Sequence, residues 1–103
     1  MNTKSLIIKS GSKNKSIHSY ILKVITEMKN YEKIELVASE TNINKLVTIL
    51  EILKRKLTNL NHTLDINRNS NKEATLTVTL IINSEFLSQN EENFKSNIFN
   101  INF

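Results

Sequence analysis

The chain has no cysteine, no proline, no tryptophan and a single glycine among its 103 residues. Without cysteine there is no disulfide framework and no thiolate chemistry, and nothing argues for secretion. Only two histidines are present besides, so the ligands of a structural zinc site are missing. The lone Gly11 excludes the glycine-rich phosphate loops of the Walker and dinucleotide-binding motifs. The longest apolar runs are a few residues, too short to span a bilayer. Met1-Asn2-Thr3-Lys4 lacks the apolar run of a signal peptide. The expectation is an intracellular protein with no metal, no cofactor, no membrane partner and no small-molecule substrate.

Catalytic groups are equally scarce. His18 and His62 are the candidates for acid–base work near neutral pH. They fall in different elements, and no serine or carboxylate near either forms a triad, so structural or surface roles are favoured. Glu27, Glu35 and Glu40 are scattered, and Glu91-Glu92 stands far along the chain. None forms a catalytic pair. An enzyme is not expected.

What is present is a basic excess. Fourteen Lys and Arg stand against ten Asp and Glu, a formal charge of +4. That balance suits a nucleic-acid partner. The abundance of Asn, Lys and Ile also fits the coding bias of an AT-rich genome, which dilutes the weight of any single lysine. The length fits one domain with a modest core, to which a partner subunit would add.

Periodicity divides the chain into strand, helix, strand, helix, strand, strand. Ser5 to Lys9 reads as the first strand, followed by a turn at Gly11. Ile17, Ile21, Val24, Ile25 and Met28 fall on one helical face between Ser16 and Lys29. Ile34 to Ala38 alternates as the second strand. Thr41 or Asn42 is placed to cap a second helix that continues to Leu57. Its core face is Ile43, Leu46, Val47, Leu50, Leu53 and Leu57. Ile49 and Ile52 widen the apolar arc on one flank, and this excess suggests a subunit contact. Its bland counterpart is a lone exposed isoleucine. Asn61 to Asn67 is the third strand, with His62, Leu64 and Ile66 on one face. Ala74 to Ile82 alternates most regularly. Residues 84–103 form an Asn-rich tail after a domain over 1–83. The tail turns irregular after Asn83, is mobile over Ser88 to Asn97, and ends in the alternating run Ile98 to Phe103, a possible added strand.

The junction from the first strand into the first helix is basic and serine-rich. It sets lysines beside free backbone N–H groups, where phosphate can bind. Lys9, Lys13 and Lys15 flank this turn, and Arg68 and Lys72 lie in the polar link Arg68-Asn69-Ser70-Asn71-Lys72-Glu73. Taken singly, each is an ordinary solvated charge. Lys54-Arg55-Lys56 also has a structural role, since cations near a helix C-terminus complement its dipole.

The order of elements and the local residues together resemble the Alba superfamily over residues 5 to 82. Lys15-Ser16-Ile17-His18-Ser19-Tyr20 is similar to that family's turn, in which a lysine pair precedes Pro, two variable positions and Tyr. Lys15 matches the second lysine, Asn14 stands at the first and Ser16 at the Pro. Leu36-Val37-Ala38 to Ile43 resembles the family's second strand and its Arg-Gly-Arg-Ala-Ile-like turn. This sequence has Ser39-Glu40-Thr41-Asn42-Ile43 there, without either arginine or the glycine, and Glu40 opposes phosphate. Glu51-Ile52-Leu53-Lys54-Arg55-Lys56-Leu57 resembles helix two of the eukaryotic Alba-type subunits of ribonuclease P and RNase MRP.

The resemblance implies an α+β fold, βαβαββ, with two helices on one face of a four-stranded mixed sheet. It implies a nucleic-acid-binding subunit without catalysis, in which Lys9, Lys13, Lys15, Arg68 and Lys72 contact a structured or duplex RNA in preference to DNA. It further implies a second Alba-type chain, as homo- or heterodimer, packed on Ile49, Ile52, Leu53 and Lys56, in a ribonucleoprotein of the nucleus. The alternatives are a structural dimerisation subunit that barely touches RNA and a chromatin DNA-binding protein.

Overall fold

The computed structural model describes residues 3–8, 16–68 and 73–95. They form β1 (Thr3–Ile7), α1 (Ile17–Met28), β2 (Lys33–Ser39), a 3-10 turn (Glu40–Asn42) and α2 (Ile43–Lys56). β3 (Asn61–Arg68), β4 (Ala74–Ile81), α3 (Ser84–Gln89) and α4 (Glu91–Lys95) complete the order. The expected βαβαββ order is therefore observed, followed by two short helices.

The strands make one sheet in the order β1-β2-β4-β3. β1 and β2 are parallel, so the chain must cross over between them, and α1 makes the crossing. β4 runs antiparallel to both β2 and β3. Side chains of directly opposed residues share a face. Ile34, Leu36 and Ala38 of β2 lie opposite Leu80, Val78 and Leu76 of β4, and all six are buried. The other face carries Lys33 and Glu35 beside Thr75, Thr77 and Thr79, and no helix described here covers it.

Both long helices pack on the dry face. α1 buries Tyr20, Ile21, Val24 and Met28, and α2 buries Leu46, Ile49, Leu50 and Leu53. Burying a side chain of this kind stabilises by about 1.5–3 kcal/mol relative to exposure. The helices begin where local chemistry permits. Ser16 has extended backbone and its Oγ accepts the Ser19 N–H at 3.1 Å, an N-cap. Lys54, Arg55 and Lys56 occupy the last turn of α2, where the carbonyl end favours cations.

The expectation that the chain turns irregular after Asn83 is corrected. Asn83 Oδ1 accepts the Phe86 N–H at 2.8 Å and caps α3. Phe86 is buried, and its ring meets Phe94 edge-on with centroids 6.3 Å apart. Asn90 is fully buried. Its Oδ1 accepts the Thr58 N–H at 2.7 Å, and its Nδ2 donates to Thr58 O and Phe86 O, each at 2.9 Å. Thr58 follows α2, and Lys29, whose Nζ lies 5.8 Å from the Phe94 ring centroid, follows α1. The two short helices thus close the end of the sandwich beneath the C-termini of both long helices. Residues 96–103, including the run Ile98 to Phe103, lie outside the described residues.

Candidate nucleic-acid interface

Topology brings the described residues that flank the expected basic segments to one end of the sheet. β1 and β2 finish together, with Ile7 opposite Val37. Ser39, the last residue of β2, lies opposite Thr75 at the start of β4, and Ala74 lies opposite Arg68 at the end of β3. Both long helices run back from this end, so their N-termini are here too. Each helix start leaves backbone N–H groups without intrahelical partners and carries a partial positive charge. Asn42, at the N-cap of α2, makes no side-chain capping bond, and the first turn of α2 has no acidic residue.

Arg68 is exposed at the hairpin base, at this end. Lys9, Lys13, Lys15 and Lys72 lie outside the described residues. The described residues that flank them, Ile8, Ser16, Arg68 and Glu73, are those at which the chain enters and leaves the same end. Among the described residues no group of His, Cys, Asp and Glu could hold a metal ion, and no helix is long and apolar enough to cross a membrane.

One feature of the turn was not visible in the sequence. Glu40 has a φ of 43°, the left-handed region that non-glycine residues seldom occupy. Its Oε1 accepts the Ala74 N–H at 2.6 Å. Beside it the Ser39 and Thr75 hydroxyls lie 3.3 Å apart in a hydrogen bond. The acidic residue at a turn expected to meet phosphate therefore has a bond to the hairpin. The partners are 34 residues apart, and no local pattern announces them.

Ile49, Ile52, Leu53 and Lys56, the residues expected at a partner face, all lie on α2. Ile49 and Leu53 are fully buried in the chain's own core, and Ile52 packs against that core. Helical geometry puts Lys45, Ile49, Ile52 and Lys56 along one flank of α2. The Lys45 Nζ lies 5.1 Å from the centroid of the Tyr20 ring on α1, so this flank is turned to α1. The sequence alone placed it at the margin of one sheet because the neighbouring helix that covers it is invisible there. Lys56 is half-buried. Apart from Ile7 on β1, which is 59% exposed, the exposed large apolar side chains among the described residues lie on the opposite side. Leu64 and Ile66 are 58% and 68% exposed, although they share a face with buried Val78 and Leu76. The helical layer stops short of β3, and Val47, on the flank of α2 away from α1, is 37% exposed.

Comparison with known proteins agrees with this architecture. The Alba family model matches residues 12–72. ALBA1 from Trypanosoma brucei superposes with a TM-score of 0.68 at 15% sequence identity, over 89% of this chain and 81% of that one. Alba from Thermoplasma volcanium matches with a TM-score of 0.48 at 23% identity, over 74% of this chain and 99% of that one. A search of curated proteins finds no match.

Proposed function

Since the chain belongs to the Alba family of non-catalytic nucleic-acid-binding proteins, we propose that it is an RNA-binding subunit of a nuclear ribonucleoprotein, of the ribonuclease P and RNase MRP kind. The observation that carries this reading is the convergence of two helix N-termini and the Arg68 hairpin base at one end of a basic chain. Such an end meets phosphate and ribose. The deep major groove of duplex RNA is closed to side chains, so recognition is by shape and backbone. Lys13 and Lys15 bracket the backbone near the start of α1, and Lys9 is a further contact. Arg68 and Lys72 reach along the groove. The preference for RNA over DNA rests on the likeness of Glu51 to Leu57 to helix two of the ribonuclease subunits.

The partner is a second Alba-type chain. Val47, Leu64 and Ile66 give it an apolar face that the monomer leaves open. That chain supplies the arginines lacking at Ser39 to Asn42. The competing reading, a structural dimerisation subunit, is favoured by one observation, the Glu40 carboxylate at that turn. Titration with a structured RNA and with a DNA duplex of equal length, with and without the co-purified partner, separates them. Salt-sensitive binding with RNA preferred supports the proposal. A chain that pairs but adds nothing to RNA affinity supports the competitor, and equal or tighter DNA binding supports a chromatin protein.

A further inference from the structure

We propose that Glu40 is a positioning residue for the nucleic-acid interface, holding the base of the β3–β4 hairpin, and with it Arg68, in fixed register with the start of α2. This deepens the nucleic-acid reading and rests on it. Ser39 pairs with Thr75 in the β2–β4 ladder, so the next rung would join residue 40 to Ala74. The backbone cannot make that rung, because the chain turns away at Glu40 with its φ of 43°. The side chain makes it instead, Oε1 accepting the Ala74 N–H at 2.6 Å. The last rung of the ladder is thus a carboxylate reaching across the gap that the turn opens. Ala74 is the cross-strand neighbour of Arg68. A bond that fixes the first residue of β4 fixes the end of β3 with it.

The backbone geometry explains why the residue type matters. A left-handed turn is the ordinary place for glycine, which adopts it without steric cost. A glutamate there carries strain, which a charge-assisted hydrogen bond offsets. Glycine would relieve the strain and delete the rung. Glutamine would keep an acceptor at the same reach while removing the charge.

This separates positioning from plain electrostatics. Were Glu40 only a negative charge near phosphate, Glu40→Gly and Glu40→Gln would both bind nucleic acid more tightly, and equally. Positioning sets the two apart. Amide exchange of Ala74, followed by NMR on the protein alone, should accelerate about tenfold in Glu40→Gly and stay near the parent rate in Glu40→Gln. With a structured RNA duplex as probe, Glu40→Gly should bind about three- to tenfold more weakly than the parent despite losing a negative charge, as expected from loss of pre-organisation. Glu40→Gln should bind at least as tightly as the parent. Unchanged Ala74 exchange in Glu40→Gly, or affinity in Glu40→Gly equal to that of Glu40→Gln, overturns the proposal. A parent that binds no nucleic acid overturns the nucleic-acid reading instead, and the Ala74 exchange still decides whether the carboxylate holds the hairpin.

Discussion

Replacing Asn90 should damage this fold more than replacing any other polar residue described. The side chain is fully buried, and its hydrogen-bonding capacity is used on both ends. Oδ1 accepts from Thr58 N at 2.7 Å and from Asn93 Nδ2 at 2.8 Å. Nδ2 donates to Thr58 O and to Phe86 O. Asn90→Ala removes all of these at once and leaves the Thr58 amide and carbonyl facing an empty space. A net hydrogen bond contributes about 0.5–1.5 kcal/mol, and water will reach some of the freed groups, so the cost is about 2–4 kcal/mol. For a domain of this size each kcal/mol moves the melting temperature by about 4–8 °C, which gives a fall of about 8–32 °C. Asn90→Asp is the sharper control. It keeps the shape and the acceptor, but sets a carboxylate against two carbonyl oxygens that need donors. It should therefore destabilise at least as much as alanine. Urea denaturation of parent and both variants measures the differences. An alanine variant within about 0.5 kcal/mol of the parent, or an aspartate variant matching it, would refute the assignment of residues 84–95 to the folded domain.

Other outcomes follow from the same packing. Leu64→Glu with Ile66→Glu should leave a folded chain that no longer pairs, whereas Ile49→Glu should unfold it by placing a charge in the core; sedimentation beside circular dichroism distinguishes dissociation from unfolding, and a paired, folded Ile49→Glu chain would reverse the assignment. Lys13→Ala with Lys15→Ala should lower RNA affinity while changing stability by under about 0.5 kcal/mol, and a double variant that binds like the parent would remove these lysines from the phosphate site.

Much of this architecture was legible because it is periodic. Ala74 to Leu80 alternates apolar residues with threonine, and β4 occupies nearly the expected residues, Ala74–Ile81. Ile21, Val24 and Met28 of α1 and Leu46, Leu50 and Leu53 of α2 are buried at the expected helical spacing, whereas Val47, expected in the core, is exposed and Tyr20 and Ile49 are buried instead. Two kinds of feature were not legible. Short helices such as α3 and α4 hold too few apolar residues to complete a period. Contacts between distant segments leave no local trace either. Ile49 reads as a flank until α1 is seen beside it, and Glu40 reads as a repulsive charge until Ala74 is seen within reach. Of the basic residues expected at the interface, Arg68 is the one among the described residues, and the pairing of strand ends shows how it comes to stand at the end where the helices begin.

Binding should be carried by phosphate contacts at this end. Its most direct measurement is the affinity of the parent and of Arg68→Ala for a structured RNA duplex, each with the co-purified partner, across a series of salt concentrations. Neutralised phosphates release counterions, so the logarithm of the binding constant should fall linearly with the logarithm of salt, by roughly one unit of slope per contact. Arg68→Ala should bind more weakly and show a slope shallower by about one. Binding that ignores salt, or an Arg68→Ala slope identical to the parent's, would contradict the account.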